Sequence, residues 1–383
     1  MQTTNEERYE AAELHSNDSD RVETVRTELR EAALTKRKED RVSTWNKNRT
    51  NLGEFPGIEL FSVEYVDEKV RLLKRKKLLF VEYRYLPNAL IQSEENINAF
   101  LKVDQSLSGL VRDLSGNDPT LQLYAANCCC NIALGNMKAC TALGKAIIPY
   151  LVIKLKCLNY ALLDVCIWTI GNLVAGSDKV FSILHSQHCL KYIILLLENC
   201  DDLILPSIIY ALLHYVRAGF HKLSENEMLE LVQAIIKRNL LYENLNYIWL
   251  LALLSSSSIC TEHLHAILPK VVDYLYLIFS NSDGMTQVSE ITASIRILAN
   301  TLHNSCEDGV DILLSNPKYT NEDLHVLLNK LLAHPYMHIR RETLWLIGNL
   351  YNHRSPSVAK NIKDLISFLS ALNQAFSAVE NSV

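Results

Sequence analysis

"IWTIGNL" (residues 167–173) and "LWLIGNL" (residues 344–350) are nearly the same seven letters written twice in a chain of 383 residues, with their tryptophans 177 positions apart. Trp is scarce, at four in the chain, yet two of them stand four residues before an Asn flanked by Gly and Leu. Positions i and i+4 share a helix face, so each phrase predicts an indole and a carboxamide side by side. A surface written twice predicts an internal repeat.

With the indole position as a ruler, the same helix recurs every 39 to 49 residues. "LQLYAANCCCNIALG" (121–135) puts Asn127 and Asn131 at the Trp and Asn positions, and "SIIYALLHYV" (207–216) puts Tyr210 and His214 there. "NYIWLLALL" (246–254) offers Trp249 and Leu253, and "ASIRILANTL" (293–302) offers Arg296 and Asn300. Six copies tile residues 121–350. Between them lie "AIIPYLVIKLK" (146–156), "CLKYIILLLEN" (189–199) and the shorter "DKVFSILHSQ" (178–187). The pattern predicts a unit of short, medium and longer helix, roughly 42 residues long. Such a unit is too small to bury its own apolar face, so neighbours must stack. The expected fold class is all-α, a right-handed superhelical solenoid whose third helices line a concave groove.

Composition agrees with helices. Gly and Pro number 12 and 9, and alternating β-branched runs bounded by turn signals are hard to find. The ten cysteines form no CxxC pair and read as buried thiols in a reducing compartment. The N-terminus lacks the apolar core of a secretory signal. His185/His188 and His334/His338 have spacings that metals use, but Pro335 breaks the helix the second pair would need, and no Glu or Cys completes either set, so no metal is expected. No glycine-rich phosphate loop or GxSxG elbow is present, and the chain reads as a binding protein without cofactor, not as an enzyme. Asn244 to Thr261 is an uncharged run of eighteen residues, long enough to raise a membrane anchor. Its four serines and two asparagines instead predict a buried helix running into a loop.

The formal charge of −5 gives no footprint for nucleic acid. It is unevenly spread. Residues 21–49 hold nine Lys or Arg against five Asp or Glu, whereas residues 80–383 hold 22 against 27. A second basic run, "KVRLLKRKKLLF" (69–80), has six cations in its first nine residues. Lys74, Arg75, Lys76 and Lys77 make it a candidate for the protein's own localisation signal, against the plainer reading of a solvated helix face over packed leucines.

The units resemble armadillo repeats, and "VCIWTIGNL" and "ETLWLIGNL" are similar to the third helices of the importin-α family in particular. That resemblance implies a groove whose Trp faces receive Lys and Arg stems of a nuclear localisation signal and whose Asn side chains hold the peptide backbone. An indole offers apolar area and a cation–π face, and a carboxamide pairs with a peptide unit, so the chemistry fits. It carries over to Trp168, Asn172, Trp345 and Asn349, with Asn131, Asn300 and Trp249 as partial matches. The segment "LREAALTKRKEDRVSTWNKNR" (29–49) resembles an importin-β-binding arm, through Arg30, Lys36, Arg37, Lys38, Arg41, Lys47 and Arg49. Departures are visible too. Asn127, Tyr210, His214 and Leu253 replace groove residues, and the carboxylate expected one turn after the Asn is missing, which weakens attraction for a basic peptide.

The expected organisation is an acidic disordered tail (1–25), a basic arm (26–50), a linker and basic helix (51–85), an armadillo array (86–370) and a C-terminal tail (371–383). The expected function is that of a monomeric importin-α-like adaptor, in cytoplasm and nucleus, whose partners are importin-β and basic cargo peptides. The rivals are a scaffold whose groove holds a helix or a non-basic peptide and whose basic arm is only intramolecular cover, and a protein anchored in a membrane through residues 244–261.

Overall fold

The computed structural model describes residues 60–281, 284–303 and 305–380, and every regular element in them is helical. The arm residues Arg30 to Arg49 lie outside the described residues. The chain forms two compact units, divided between Tyr150 and Leu151.

The first unit holds α1 (Val63–Lys74), α2 (Phe80–Gln92), α3 (Glu94–Lys102), α4 (Ser106–Ser115), α5 (Pro119–Ile132) and most of α6 (Met137–Lys154), within which the boundary falls. Local chemistry sets the breaks. Asp118 accepts from the N–H groups of Thr120 and Leu121, and Pro119 stands at the first helical position, where its missing N–H removes no helical bond. Helix α1 ends in a Schellman turn: the Lys77 N–H donates to the Leu72 carbonyl at 2.9 Å and the Lys76 N–H to that of Leu73 at 3.1 Å, with Lys76 at φ 59°. Helix α5 buries Ala125 through Ile132 and packs on α2 and α4. Helix α2 is therefore one more third helix than the ruler finds, because its sequence, FVEYRYLPNALIQ, has no Trp–Asn pair to mark it. Helix α1, the basic helix expected within 51–85, belongs to this core, with Val66, Val70 and Leu73 at 0–1% exposure.

The second unit continues with α7 (Tyr160–Gly176), α8 (Asp178–Ser186), α9 (Cys189–Asn199), α10 (Leu205–Gly219), α11 (Glu225–Arg238), α12 (Leu245–Leu254), α13 (Ser258–Leu264), a 3-10 turn at His265–Ile267, α14 (Leu268–Asn281) and α15 (Val288–Leu302). It closes with α16 (Glu307–Leu314), α17 (Asn321–Leu332), α18 (Met337–Tyr351), α19 (Pro356–Ile366) and α20 (Leu372–Glu380). Helices α7, α10, α12, α15 and α18 occupy the ruler positions, and each packs against the next. This is the armadillo plan, in which stacked three-helix units share one continuous core. Side-chain caps start several of these helices: Asn159 for α7, Asn244 for α12, and capping boxes Ser224/Glu227 and Thr320/Asp323 for α11 and α17.

Two units depart from the pattern. Only α11 lies between α10 and α12, the first helix being reduced to a turn in which the N–H groups of Lys222 and Leu223 donate to the Gly219 carbonyl. The helix expected at 146–156 is the end of the 18-residue α6. Residues 372–380, expected as tail, form α20, in which Ala375 is fully buried. The uncharged run at 244–261 resolves into the ten-residue α12, a serine turn and the start of α13, with Tyr247, Ile248, Leu250, Leu251, Ala252 and Leu254 buried. No single described helix is long and apolar enough to cross a membrane; α8 and α9 together match in length and composition but are bent by 79°.

Most of the cysteines are core side chains. Cys128, Cys129, Cys130, Cys140, Cys166, Cys189 and Cys260 are buried, and desolvation pushes the thiols of Cys128, Cys129, Cys189 and Cys260 upward, away from thiolate. Iodoacetamide should therefore label the exposed Cys306 first and the partly exposed Cys157 and Cys200 next. The seven buried thiols should react only after unfolding; peptide mapping that finds Cys129 labelled in the native chain would contradict this packing.

Candidate functional site

The two copies of the phrase occupy different environments. On α7, Trp168 is 7% exposed and its ring stacks on Tyr210 of α10, with centroids 4.3 Å apart and planes at 10°. Asn172 is fully buried, and its Oδ1 accepts from the Tyr210 hydroxyl at 2.7 Å. On α18, Trp345 is 58% exposed. Asn349 there turns inward, its amide donating to the Ala299 carbonyl of α15 at 2.8 Å.

The remaining polar residues follow the Asn349 pattern. The Asn131 amide donates to the Pro87 carbonyl at 2.7 Å, 44 residues away, and the Asn300 amide to Ser255 Oγ at 3.0 Å, 45 residues away. Ser207 Oγ donates to Asp164, 43 residues away, and Trp249 Nε1 to Ser289 Oγ at 3.2 Å, 40 residues away. These separations are one repeat. Asn131, Asn300, Asn349 and Trp249, which the sequence reads as rungs of a peptide ladder, instead tie third helices to a neighbouring repeat, where such bonds fix the stacking register.

Trp249 carries a further occupant that its letters do not reveal. The Arg296 guanidinium of α15 lies 5.4 Å from the indole centroid. Its Nε donates to Glu342 Oε1 of α18 at 3.1 Å, and Nη2 reaches the same oxygen. The chain itself places this cation over the indole. The signal for this lay in the sequence: Arg296 stands at a ruler position, and Glu342 lies three residues before Trp345, one helical turn away.

Along α18, His338, Arg341 and Trp345 are exposed at spacings of three and four residues, which puts them on one helix face, and Asn352, the capping residue beyond the helix, is exposed as well. Gly348 is on the same side, and a Cβ built on it would meet nothing within 4 Å. This strip is the open part of the row. Among the described residues, Trp168 Nε1 and Asn131 Oδ1 are buried polar atoms at ruler positions without a hydrogen-bond partner. The basic residues Lys74, Arg75, Lys76 and Lys77 lie elsewhere, at the α1–α2 turn, and all are exposed.

No protein-family model matches the chain, and no curated protein matches it. Among solved structures it is similar to a designed armadillo repeat protein, at 17% identity and a TM-score of 0.42, over 74% of this chain and 99% of that one. It is also similar to a designed armadillo repeat protein in complex with the peptide (KR)4, at 16% identity and a TM-score of 0.39, over 80% of this chain and 99% of that one. A third similarity is to computationally designed armadillo repeat proteins for modular peptide recognition, at 16% identity and a TM-score of 0.42, over 74% of this chain and 99% of that one.

Proposed function

We propose that this chain is a non-catalytic adaptor of the importin-α type, which seats an extended peptide of a partner protein along its third-helix row with Trp345 as the working contact. The observation that carries the reading is the exposed indole of Trp345 beside the open flank of Gly348. A Lys or Arg stem laid across that ring gains apolar contact and a cation–π attraction. Arg296 over Trp249 is the same pairing made within the chain. The basic arm, through Arg30, Lys36, Arg37, Lys38, Arg41, Lys47 and Arg49, would engage importin-β, making nuclear import the process and cytoplasm and nucleus the locations.

One observation favours a second reading, a scaffold for a non-basic peptide. Arg341 is exposed one turn before Trp345, and the nearby carboxylate of Glu342 is already paired with Arg296. Like charge at the rim opposes a basic ligand. Fluorescence anisotropy with a Lys/Arg-rich and a Glu/Asp-rich peptide separates the two, using the full chain and a variant with Lys36, Arg37 and Lys38 changed to Gln to keep the arm from competing. The adaptor predicts salt-sensitive binding of the basic peptide, weakened roughly tenfold or more by Trp345→Ala, as for an interface hot spot. Arg296→Ala should leave that affinity intact or raise it by uncovering Trp249. Tighter binding of the acidic peptide would replace the adaptor with the scaffold, and indifference to Trp345→Ala would remove the site from both.

A further inference from the structure

The run at residues 69–80 spans the second half of α1 and the turn into α2, and its geometry opposes use as an extended signal. Lys69 is held between Glu68 and Glu82 at 2.8 and 2.9 Å, and Arg71 is paired with Asp67 at 2.7 Å. The backbone N–H groups of Lys76 and Lys77 close the Schellman turn on Leu73 and Leu72. A groove that reads a strand would have to unwind the end of α1, whose Val70 and Leu73 are core residues.

What the turn presents outward is different. Lys74, Arg75, Lys76 and Lys77 are exposed, and directly after them Leu79, Phe80 and Val81 are 66%, 52% and 66% exposed. Lys74 approaches Asp104 at 3.7 Å, whereas among the described residues Arg75, Lys76 and Lys77 have no acidic partner. The cavity of about 370 Å³ beside the turn adds no free cation, because Arg112 in its wall is bound through two nitrogens to Asp113.

Three cations without an acidic partner among the described residues, abutting three exposed apolar side chains, set two demands on a partner. It must be anionic, and it must take up apolar surface without offering a fitted pocket. An acidic protein groove or a nucleic acid meets the first demand; an anionic lipid bilayer meets both. We propose that residues 74–81 form a membrane-surface docking edge, with Arg75, Lys76 and Lys77 among anionic headgroups and Leu79, Phe80 and Val81 in the interfacial layer. This surface shares no residue with the Trp345 strip and does not depend on it.

Flotation of the full chain with phosphatidylcholine vesicles, and with vesicles containing phosphatidylserine, tests the assignment. Binding is expected only to the anionic vesicles and should fall with salt. Changing Arg75, Lys76 and Lys77 together to Gln should weaken it roughly hundredfold, since each cation near the surface contributes about fivefold. Phe80→Ser with Val81→Ser should weaken it about tenfold with little dependence on salt. All of these positions are exposed, and circular dichroism verifies that the variants fold. Neutralising Lys36, Arg37 and Lys38 should leave most of the binding in place. The proposal is overturned if vesicles do not bind, if the arm variant rather than the turn variant abolishes binding, or if Phe80→Ser with Val81→Ser has no effect. Capture of the intact chain by an importin-α groove through Arg75–Lys77, with no vesicle binding, would overturn it in favour of a localisation signal.

Discussion

Trp168→Ala should lower the stability of the chain by about 3–5 kcal/mol, while Trp345→Ala should change it by less than about 0.5 kcal/mol. The two residues occupy the same place in the same phrase, so composition and helix propensity cannot separate them. Burial does. Trp168 is 7% exposed and lies flat on Tyr210, so truncation removes a large apolar surface, opens a cavity and unstacks a ring. Its Nε1–H is buried without a hydrogen-bond partner among the described residues, which offsets part of that loss and places the result toward the lower end of the range. Trp345 is 58% exposed and leaves little behind. Urea unfolding followed by circular dichroism would read the difference as a shift in midpoint. The midpoint is the safer quantity here, because a repeat array need not unfold in one cooperative step. Equal shifts for both variants would mean that the two phrases share one environment.

The fold was legible in the sequence because an apolar helix repeats at a nearly constant interval, and stacking is the only way such units can bury their faces. Helices α7, α10, α12, α15 and α18 fall where the ruler set them. What escaped the ruler lacked its mark: α2 has no Trp–Asn pair, and the first helix of the unit before α12 has shrunk to a turn. The site was less legible, for a different reason. A letter fixes a side chain's chemistry, but its availability depends on what the next unit places opposite. Tyr210 covers Trp168 and bonds Asn172, and Arg296 covers Trp249, whereas Trp345 keeps its face open. The partners were all visible in the sequence as substitutions at ruler positions. Their effect on the residue one repeat earlier required the packing.

The glycines of the two phrases should part still more plainly when each is changed to Ala. Gly171→Ala should destabilise by about 2–3 kcal/mol, the cost of overpacking a filled core, and Gly348→Ala should stabilise by up to about 1 kcal/mol, the helix-propensity gain. A Cβ on Gly171 would stand 2.6 Å from Tyr210 Cε1, 2.7 Å from Cδ1 and 3.2 Å from the Ala211 backbone. Tyr210 cannot yield cheaply: it is 3% exposed, its ring is stacked on Trp168, and its hydroxyl is bonded to Asn172. Moving it would disturb all three at once, and pushing α10 away would open the contact between α7 and α10. At Gly348 the same added atom meets nothing within 4 Å, so the helix gains rigidity without a clash. If the open flank of Gly348 also admits a peptide backbone, Gly348→Ala should weaken binding at Trp345 while raising the unfolding midpoint, a pairing that global damage cannot produce. Stabilisation with unchanged affinity would place the peptide elsewhere on the exposed face of α18, toward Arg341. Destabilisation by Gly348→Ala comparable to that of Gly171→Ala would show that α18 is covered on this side and that Trp345 is not an open contact.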